Sequence, residues 1–93
     1  MRITRHATEQ MTRRRIARDD VELAIGMGQE LHRAGATFYV LRLRDIPPSM
    51  RHQADVRRAE GTVVVVEEDR ISTVYRNRNP RHIRQKSRHA RAA

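Results

Sequence analysis

Apolar residues are most densely patterned between Thr62 and Tyr75, where the chain reads TVVVVEEDRISTVY. Two β-branched segments flank Glu67–Arg70, a charged, glycine-free link of a length that closes an antiparallel hairpin. Valine occupies both alternating sets of positions in the first segment, which indicates a central strand covered on both faces. The pattern therefore predicts a hairpin in which Val66 lies opposite Ile71.

Alternation along this hairpin predicts which of its side chains share a face. A regular register pairs Val64 with Thr73 and Thr62 with Tyr75. One face then holds Val64, Val66, Ile71, Thr73 and Tyr75, and the other holds Val63, Val65, Ser72, Val74 and Arg76. We expect functional residues on the second strand. Its polar side chains divide between the two faces, Thr73 and Tyr75 on one and Ser72 and Arg76 on the other, so all four can serve one site only if the strand is bulged.

Two helices are predicted before the hairpin, after a short edge strand at Arg2–Thr4. From His6 the apolar spacing becomes helical, and Thr4 or Thr8 can serve as the N-cap. A second helix is predicted to start at 17–20, where acids occupy its first turn, and to end at Gly28.

The middle of the chain predicts two strands and a short helix. Gln29–Arg33 is a candidate strand, followed by a turn at Ala34-Gly35. Residues 37–44 alternate in their second half between leucine and arginine, which is typical of a strand with one apolar and one cationic face. After the Pro47-Pro48 break, Ser49 can cap a helix from Met50 to Glu60.

This order of elements predicts an α+β domain in which two N-terminal helices pack on one face of a small, mainly antiparallel, curved sheet. We expect residues 1–78 to form this domain and residues 79–93 to be a basic C-terminal extension of it. Within the extension, Arg81–Arg91 is predicted to be a helix, or a tail that orders when a partner binds.

Charge changes this picture because it is unevenly distributed. The 93 residues carry twenty Lys and Arg and eleven acids, for a net charge of +9, and every acid lies at or before Asp69. Seven bases and no acid follow between Arg76 and Arg91. Such asymmetry favours a polyanionic partner, and arginine suits phosphate. The ordinary explanation is a solvated tail that aids solubility.

Other functional classes receive little support from the composition. No cysteine is present, which excludes disulfides, thiolate chemistry and cysteine-based zinc sites. Apart from His6, the histidines are scattered along the chain, and only His52 and Asp55 have a spacing that weakly suggests a metal-binding pair. We therefore expect no metal and no cofactor. Without a membrane-spanning or signal segment, we expect a cytoplasmic protein that does not bind membranes.

Several short motifs together resemble a bacterial domain family of unknown function. The motifs are His6-Ala7, Met11, Arg14-Arg15-Ile16, Asp20-Val21 and the closing Thr73-Val74-Tyr75. That family is in turn similar, more distantly, to RelE-like ribonuclease toxins, which are built on two helices and a curved antiparallel sheet. The resemblance covers the chain from Ile3 to about Lys86 and implies a RelE-like fold. Three positions depart from the pattern: Gln10 replaces a frequent arginine, Arg15 a glycine, and Ala17 a Ser or Thr cap.

The resemblance also implies a set of site residues for metal-independent RNA cleavage, which needs a base, an acid and fixed positive charge around the phosphate. His6 is the candidate acid or base, with Thr73 and Tyr75 completing the catalytic set and Ser72 a further phosphate contact. Candidate nucleic-acid-binding residues are Arg14, Arg42, Arg76, Arg78, Arg81, Arg84 and Lys86.

Each of these residues also has an ordinary structural explanation. His6 can cap or pack at a helix start, Tyr75 can border the core, and Thr73 can simply favour a strand. The cluster Arg13-Arg14-Arg15 with Arg18 can be a solvated helix end. Alternatively, it can form one wall of an RNA groove together with the C-terminal arginines.

Three functions remain open from the sequence. The first is a toxin-type endoribonuclease acting on RNA without metal. The second is a non-catalytic nucleic-acid-binding module on the same fold, with RNA favoured over DNA; Gln10 and the small number of acid–base candidates favour it. The third is a toxin–antitoxin interaction protein. An acidic antitoxin is a further partner that the resemblance implies.

Overall fold

The computed structural model describes residues 1–77. Residues 78–93, which include the predicted C-terminal helix or tail, lie outside the described range. Along the described chain the elements are β1 (Arg2–Ile3), α1 (Arg5–Arg14), α2 (Arg18–Met27), β2 (Gln29–Arg33), β3 (Ala36–Val40), α3 (Ala54–Ala59), β4 (Thr62–Glu67) and β5 (Arg70–Arg76). Two short 3-10 turns, Leu43–Asp45 and Pro48–Met50, separate β3 from α3.

The strands form one five-stranded mixed sheet in the order β1-β5-β4-β3-β2. β1 runs parallel to β5, and the other neighbouring pairs are antiparallel. The predicted α+β class and the mainly antiparallel sheet are therefore confirmed. β4 is the middle strand, as its two valine faces predicted.

Local chemistry explains where the two long helices begin and end. Thr4 is the N-cap of α1, and its side-chain oxygen accepts a hydrogen bond from the Ala7 N–H at 3.2 Å. At the start of α2, the Asp20 carboxylate accepts from the Ala17 N–H at 3.0 Å. α2 ends at Gly28, where an added Cβ would lie 2.9 Å from the Val40 carbonyl oxygen. Glycine thus permits the close approach of the helix end to β3.

The two faces of the sheet are covered differently. On the first, which we call the helix-covered face, α1 contacts β5 while α2 contacts β3 and β4. Its main cluster contains Ala7, Ile16, Val21, Ala24, Leu41, Ile46, Val56, Ala59, Val64, Ile71 and Val74. The second face carries a smaller cluster drawn from strands: Ala36, Phe38, Val40, Val63 and Val65, with Leu31 and Tyr75 against it.

The segment after β3 differs from the prediction. β3 ends at Val40, because the Arg42 N–H donates to the Asp45 carboxylate at 2.9 Å and the chain turns there. The predicted Met50–Glu60 helix is also too long. Ser49 lies inside a 3-10 turn instead of capping a helix, and α3 has only six residues. A weak apolar pattern that buries only Val56 and Ala59 accounts for this shortness.

The register of the β4–β5 hairpin is right at its turn and wrong beyond it. Val66 pairs with Ile71 as predicted, but Val65 pairs with Thr73, so Ser72 is an extra residue in β5. The Ser72 hydroxyl donates to the Val65 carbonyl oxygen at 3.3 Å across this irregularity. Beyond the bulge, the alternation moves Thr73 and Tyr75 to the second face. Val74 joins Ile71 on the helix-covered face, and Arg76 follows it.

Candidate nucleic-acid interface

α1 lies alongside β5 and runs in the same direction. The Thr4 N–H donates to the Ile71 carbonyl oxygen at 3.0 Å near the start of β5. Further along, the Gln10 side-chain oxygen accepts from the Val74 N–H at 3.0 Å. These two contacts place the C-terminal turn of α1 beside the C-terminal end of β5.

An ion pair connects the junction of α1 and α2 to the C-terminal end of β5. Arg76 Nη2, at the last residue of β5, lies 3.5 Å from Asp20 Oδ2. Asp20 is only 1% exposed, and the same oxygen accepts the Ala17 N–H. Arg76 thus compensates a buried carboxylate, which would otherwise be costly to hold inside the fold. This contact gives Arg76 a structural role.

Exposed arginines surround this junction. Arg13, Arg14, Arg15 and Arg18 are all exposed, and none of them forms an ion pair with another described residue. Arg13 and Arg14 occupy the last turn of α1, where the helix dipole favours cations. We call this end of the sheet, where β5 finishes, the basic end.

A cavity of about 300 Å³ opens at the same end of the sheet, where β3 finishes and β4 begins. Its walls combine apolar and polar groups: Val40, Leu41, Arg42, Leu43, Arg44, Glu60, Gly61 and Asn77. Arg42 is half-buried there, while Arg44 and Leu43 are exposed. The cavity adds two guanidinium groups and the Glu60 carboxylate to the basic end.

The opposite end of the sheet, which we call the hairpin end, holds its arginines differently. It contains the turns Ala34-Gly35 and Glu68-Asp69. Arg70 Nη2 lies 3.0 Å from the Glu68 carboxylate, and Arg5 Nε lies 3.3 Å from the carboxylate of Glu9. An acid two or four residues away therefore neutralises each of these two arginines locally, whereas Arg2 and Arg33, at the same end, form no ion pair with a described residue.

Thr73 and Tyr75 lie together on the second face, one opposite Val65 and the other opposite Val63. Burial raises the pKa of Tyr75 to about 12. Like an ordinary tyrosine it is protonated at neutral pH and can donate a hydrogen bond, and burial makes its proton harder to remove. Thr73, which is half-buried, adds a hydroxyl on the same face.

His6 lies elsewhere. It is an exposed residue in the first turn of α1, and that helix packs on the helix-covered face of β5. The sheet therefore brings Thr73 and Tyr75 together without bringing His6 to their face. Arg14 and Arg42 both lie at the basic end, whereas Arg78, Arg81, Arg84 and Lys86 lie outside the described residues.

Two residues that differ from the pattern of the family that this chain resembles have clear local roles. Gln10 supplies a carbonyl acceptor to the buried Val74, and arginine has no acceptor to offer there. Arg15 adopts φ 54°, a left-handed conformation in which glycine is favoured. The sequence signalled the second role through the resemblance, but nothing in it signalled the Gln10 contact or the Asp20–Arg76 pair.

Within residues 1–77 no group of three or more His, Cys, Asp or Glu side chains is placed to hold a metal ion. The helices of that same range include none long and apolar enough to cross a bilayer. Comparison with protein-family models, with curated proteins and with solved structures found no match for this chain.

Proposed function

We propose that this protein is a nucleic-acid-binding domain that prefers RNA to DNA and binds through its basic end. The observation that carries the proposal is the placement of Arg13, Arg14, Arg15 and Arg18. They are exposed beside the end of β5, and the acid-free segment 78–93, with six further bases, begins two residues after that strand.

Electrostatics gives this arrangement its binding energy. Each phosphate that a cation neutralises releases condensed counterions, so that the logarithm of affinity falls with the logarithm of salt by about 0.7 per contact on a single strand. Losing one contact then weakens binding about fivefold at 0.1 M salt. Arginine also binds phosphate through paired N–H groups, which adds geometric specificity.

The preference for RNA rests on the resemblance to RelE-like proteins. The order of two helices followed by a mainly antiparallel sheet supports a RelE-like architecture, which we propose here on that ground. The same relationship makes an acidic antitoxin a further candidate partner, which would compete with RNA for the basic end. Phosphate contacts alone would not distinguish RNA from DNA.

Two single variants separate an exposed arginine from a paired one. Arg14→Gln removes an exposed cation, and we expect RNA affinity at 0.1 M salt to fall about fivefold with unchanged stability. Arg76→Gln removes the same charge from the ion pair with Asp20, and we expect mainly lower stability. Fluorescence anisotropy with single-stranded RNA and duplex DNA measures the affinity, and urea unfolding measures the stability. Equal loss of affinity in both variants would contradict the proposed interface.

A second candidate function is metal-independent endoribonuclease activity. The observation that favours it is the placement of Tyr75 beside Thr73 on the second face, where the phenol can donate a proton to a leaving oxygen. Thr73 lies on the same face and supplies a phosphate contact. His6 is the acid or base that the resemblance implies, but it lies in α1 and not on this face, so Tyr75 is the proton donor of this site.

Cleavage is tested with labelled RNA at low salt in the presence of a chelator. If the activity is real, Tyr75→Phe or His6→Ala lowers the rate about a hundredfold or more, the lower end of what acid–base catalysis supplies. Wild-type protein that binds RNA and leaves it intact would contradict the nuclease function alone. The binding function would stand.

A further inference from the structure

The edge of the sheet at β2 (Gln29–Arg33) is open. Within residues 1–77, β2 hydrogen-bonds to β3 and to no strand on its other side. An edge strand presents a row of backbone N–H and C=O groups on which another strand can pair. β2 is five residues long and free of proline, so that it can accept such a strand.

The register shows which groups face outward. The two-residue turn makes Arg33 and Ala36 a hydrogen-bonded pair, and Leu31–Phe38 is the next such pair. The Leu41 N–H donates to the Thr62 carbonyl oxygen at 3.0 Å. Alternate residues of one strand bond to opposite neighbouring strands, so this bond on the β4 side agrees with a bond from Phe38 on the β2 side. The backbone N–H and C=O groups of Glu30 and His32 therefore point away from β3.

We propose that β2 pairs antiparallel with β2 of a second copy of this chain, with Leu31 on the twofold axis. Each Glu30 then lies opposite His32 of the other copy. These are the residues whose backbone groups face outward, so the contact forms four N–H···O bonds and one continuous ten-stranded sheet. Such a contact is isologous and closed, as a C2 dimer requires.

Side-chain chemistry selects a second copy as the occupant and fixes the register. The strand reads Gln-Glu-Leu-His-Arg, so in this register an acid faces an imidazole in both symmetry-related pairs, and Gln29 faces Arg33. Shifting the axis to Glu30 or to His32 places like groups opposite each other, which is unfavourable. The Glu30 and His32 side chains are 50% and 70% exposed and are therefore available to a partner.

Existing contacts prepare the edge for this pairing. Glu30 Oε2 and His32 Nε2 lie 3.4 Å apart, and the Thr37 hydroxyl forms a 3.1 Å hydrogen bond with Nδ1 of the His32 ring. Arg33 Nη1 donates to the outward His32 carbonyl oxygen at 2.7 Å, which satisfies that oxygen in the single copy. On pairing, the Glu30 amide of the other copy takes this position.

Leu31 gives the contact its apolar centre. It lies on the second face and packs against the cluster that contains Phe38. At the axis the two copies of Leu31 form a non-hydrogen-bonded pair, the closer of the two antiparallel types. The apolar clusters of the two second faces are then joined across the axis.

Charge variants and sedimentation velocity test the proposal. We expect the wild type to dimerise reversibly with concentration. His32→Glu opposes like charges in both pairs and should weaken dimerisation about tenfold or more. Adding Glu30→Lys restores opposite charges and should restore the dimer. His52→Glu makes the same charge change at an exposed site away from β2 and should have no effect.

Hydrogen exchange tests the register directly. In the dimer the Glu30 and His32 amides should become protected, while the Leu31 amide, bonded within the sheet, is protected in both states. A wild type that stays monomeric up to about 1 mM, near the limit of weak specific association, would overturn the proposal. A dimer in which the Glu30 and His32 amides exchange as fast as in the monomer would overturn it equally.

Discussion

The two ends of the sheet use acidic residues in opposite ways. At the hairpin end, Glu68 and Glu9 lie on the surface beside Arg70 and Arg5 and neutralise them. At the basic end, Asp20 is instead buried and pairs with Arg76, the last residue of β5. The exposed arginines of the α1–α2 junction form no ion pair with a described residue, although Asp19 and Glu22 are also exposed on α2.

The comparison shows that the position of an acid matters more than its number. The sequence up to Tyr75 is almost balanced in charge, with thirteen bases and eleven acids, and yet four exposed arginines gather without ion pairs at the basic end of the sheet, while Arg5 and Arg70 at the hairpin end are paired. A buried acid orders the backbone around it, whereas a surface acid mainly screens a neighbour. Variants that exchange these roles test the difference.

The largest expected effect on stability comes from Asp20→Ala. It removes the cap of the Ala17 N–H and leaves Arg76 without its carboxylate, so we expect a loss of about 2–3 kcal/mol of unfolding free energy. Glu68→Ala at the hairpin end breaks an exposed pair and should cost about 0.5 kcal/mol or less. Urea unfolding measures both. Equal losses would show that the Asp20 pair is no more important than a surface contact.

A smaller effect is expected from Gln10→Arg. At the hairpin end β1 covers the outer edge of β5, but at the basic end the Gln10 side chain binds the Val74 N–H. Arginine offers no acceptor, and an unsatisfied buried N–H should cost about 1–2 kcal/mol. Gln10→Glu keeps an acceptor and serves as the control. A stable Gln10→Arg variant in urea unfolding would mean that another group binds this N–H.

Next in size is a gain of stability from glycine at left-handed positions. Arg15 at the basic end has φ 54°, and Asp69 at the hairpin end has φ 61°. We expect Arg15→Gly and Asp69→Gly each to stabilise the protein by about 0.5–1 kcal/mol, because glycine adopts this conformation without strain. Arg14→Gly, one residue earlier and inside α1, should instead destabilise by about 1 kcal/mol. Thermal unfolding distinguishes the two signs.

The last effect is absent at neutral pH and concerns Tyr75 at high pH. Burial raises its pKa from 10.0 to about 12, so the folded protein holds this proton more tightly than the unfolded chain does. Stability is therefore complete below pH 10 and should fall as pH rises from about 10 through 12. Tyr75→Phe should remove this part of the decline in urea unfolding. An ultraviolet titration in which Tyr75 ionises near its ordinary pKa would contradict the burial.

The sequence predicted the periodic parts of this fold well. Valine on both faces identified β4 as central, and Thr4, one of the two predicted caps of α1, is the N-cap. Those features depend on short-range pattern. The register beyond Ile71 was wrong because the Ser72 bulge is selected by contacts between strands and has no sequence signal of its own. β3 was predicted too long because the Asp45 contact to Arg42 competes with strand pairing.

The candidate site was harder to predict. The cluster Arg13-Arg14-Arg15 was visible as a run of charge, but its position beside the end of β5 follows from the parallel course of α1 and β5. Arg76 was assigned to nucleic acid, and only the tertiary contact with Asp20 reveals its structural role. The bulge likewise decides that Thr73 and Tyr75 lie on the second face.

The most direct test of the basic end is the salt dependence of RNA binding by two double variants of equal charge. Arg13→Gln with Arg14→Gln alters the basic end, and Arg5→Gln with Arg70→Gln alters the hairpin end. Plots of the logarithm of Kd against the logarithm of salt should lose about 1.4 of their slope in the first variant, at about 0.7 per phosphate contact, and keep it in the second. The same loss of slope in both variants, or in neither, would contradict an interface at the basic end.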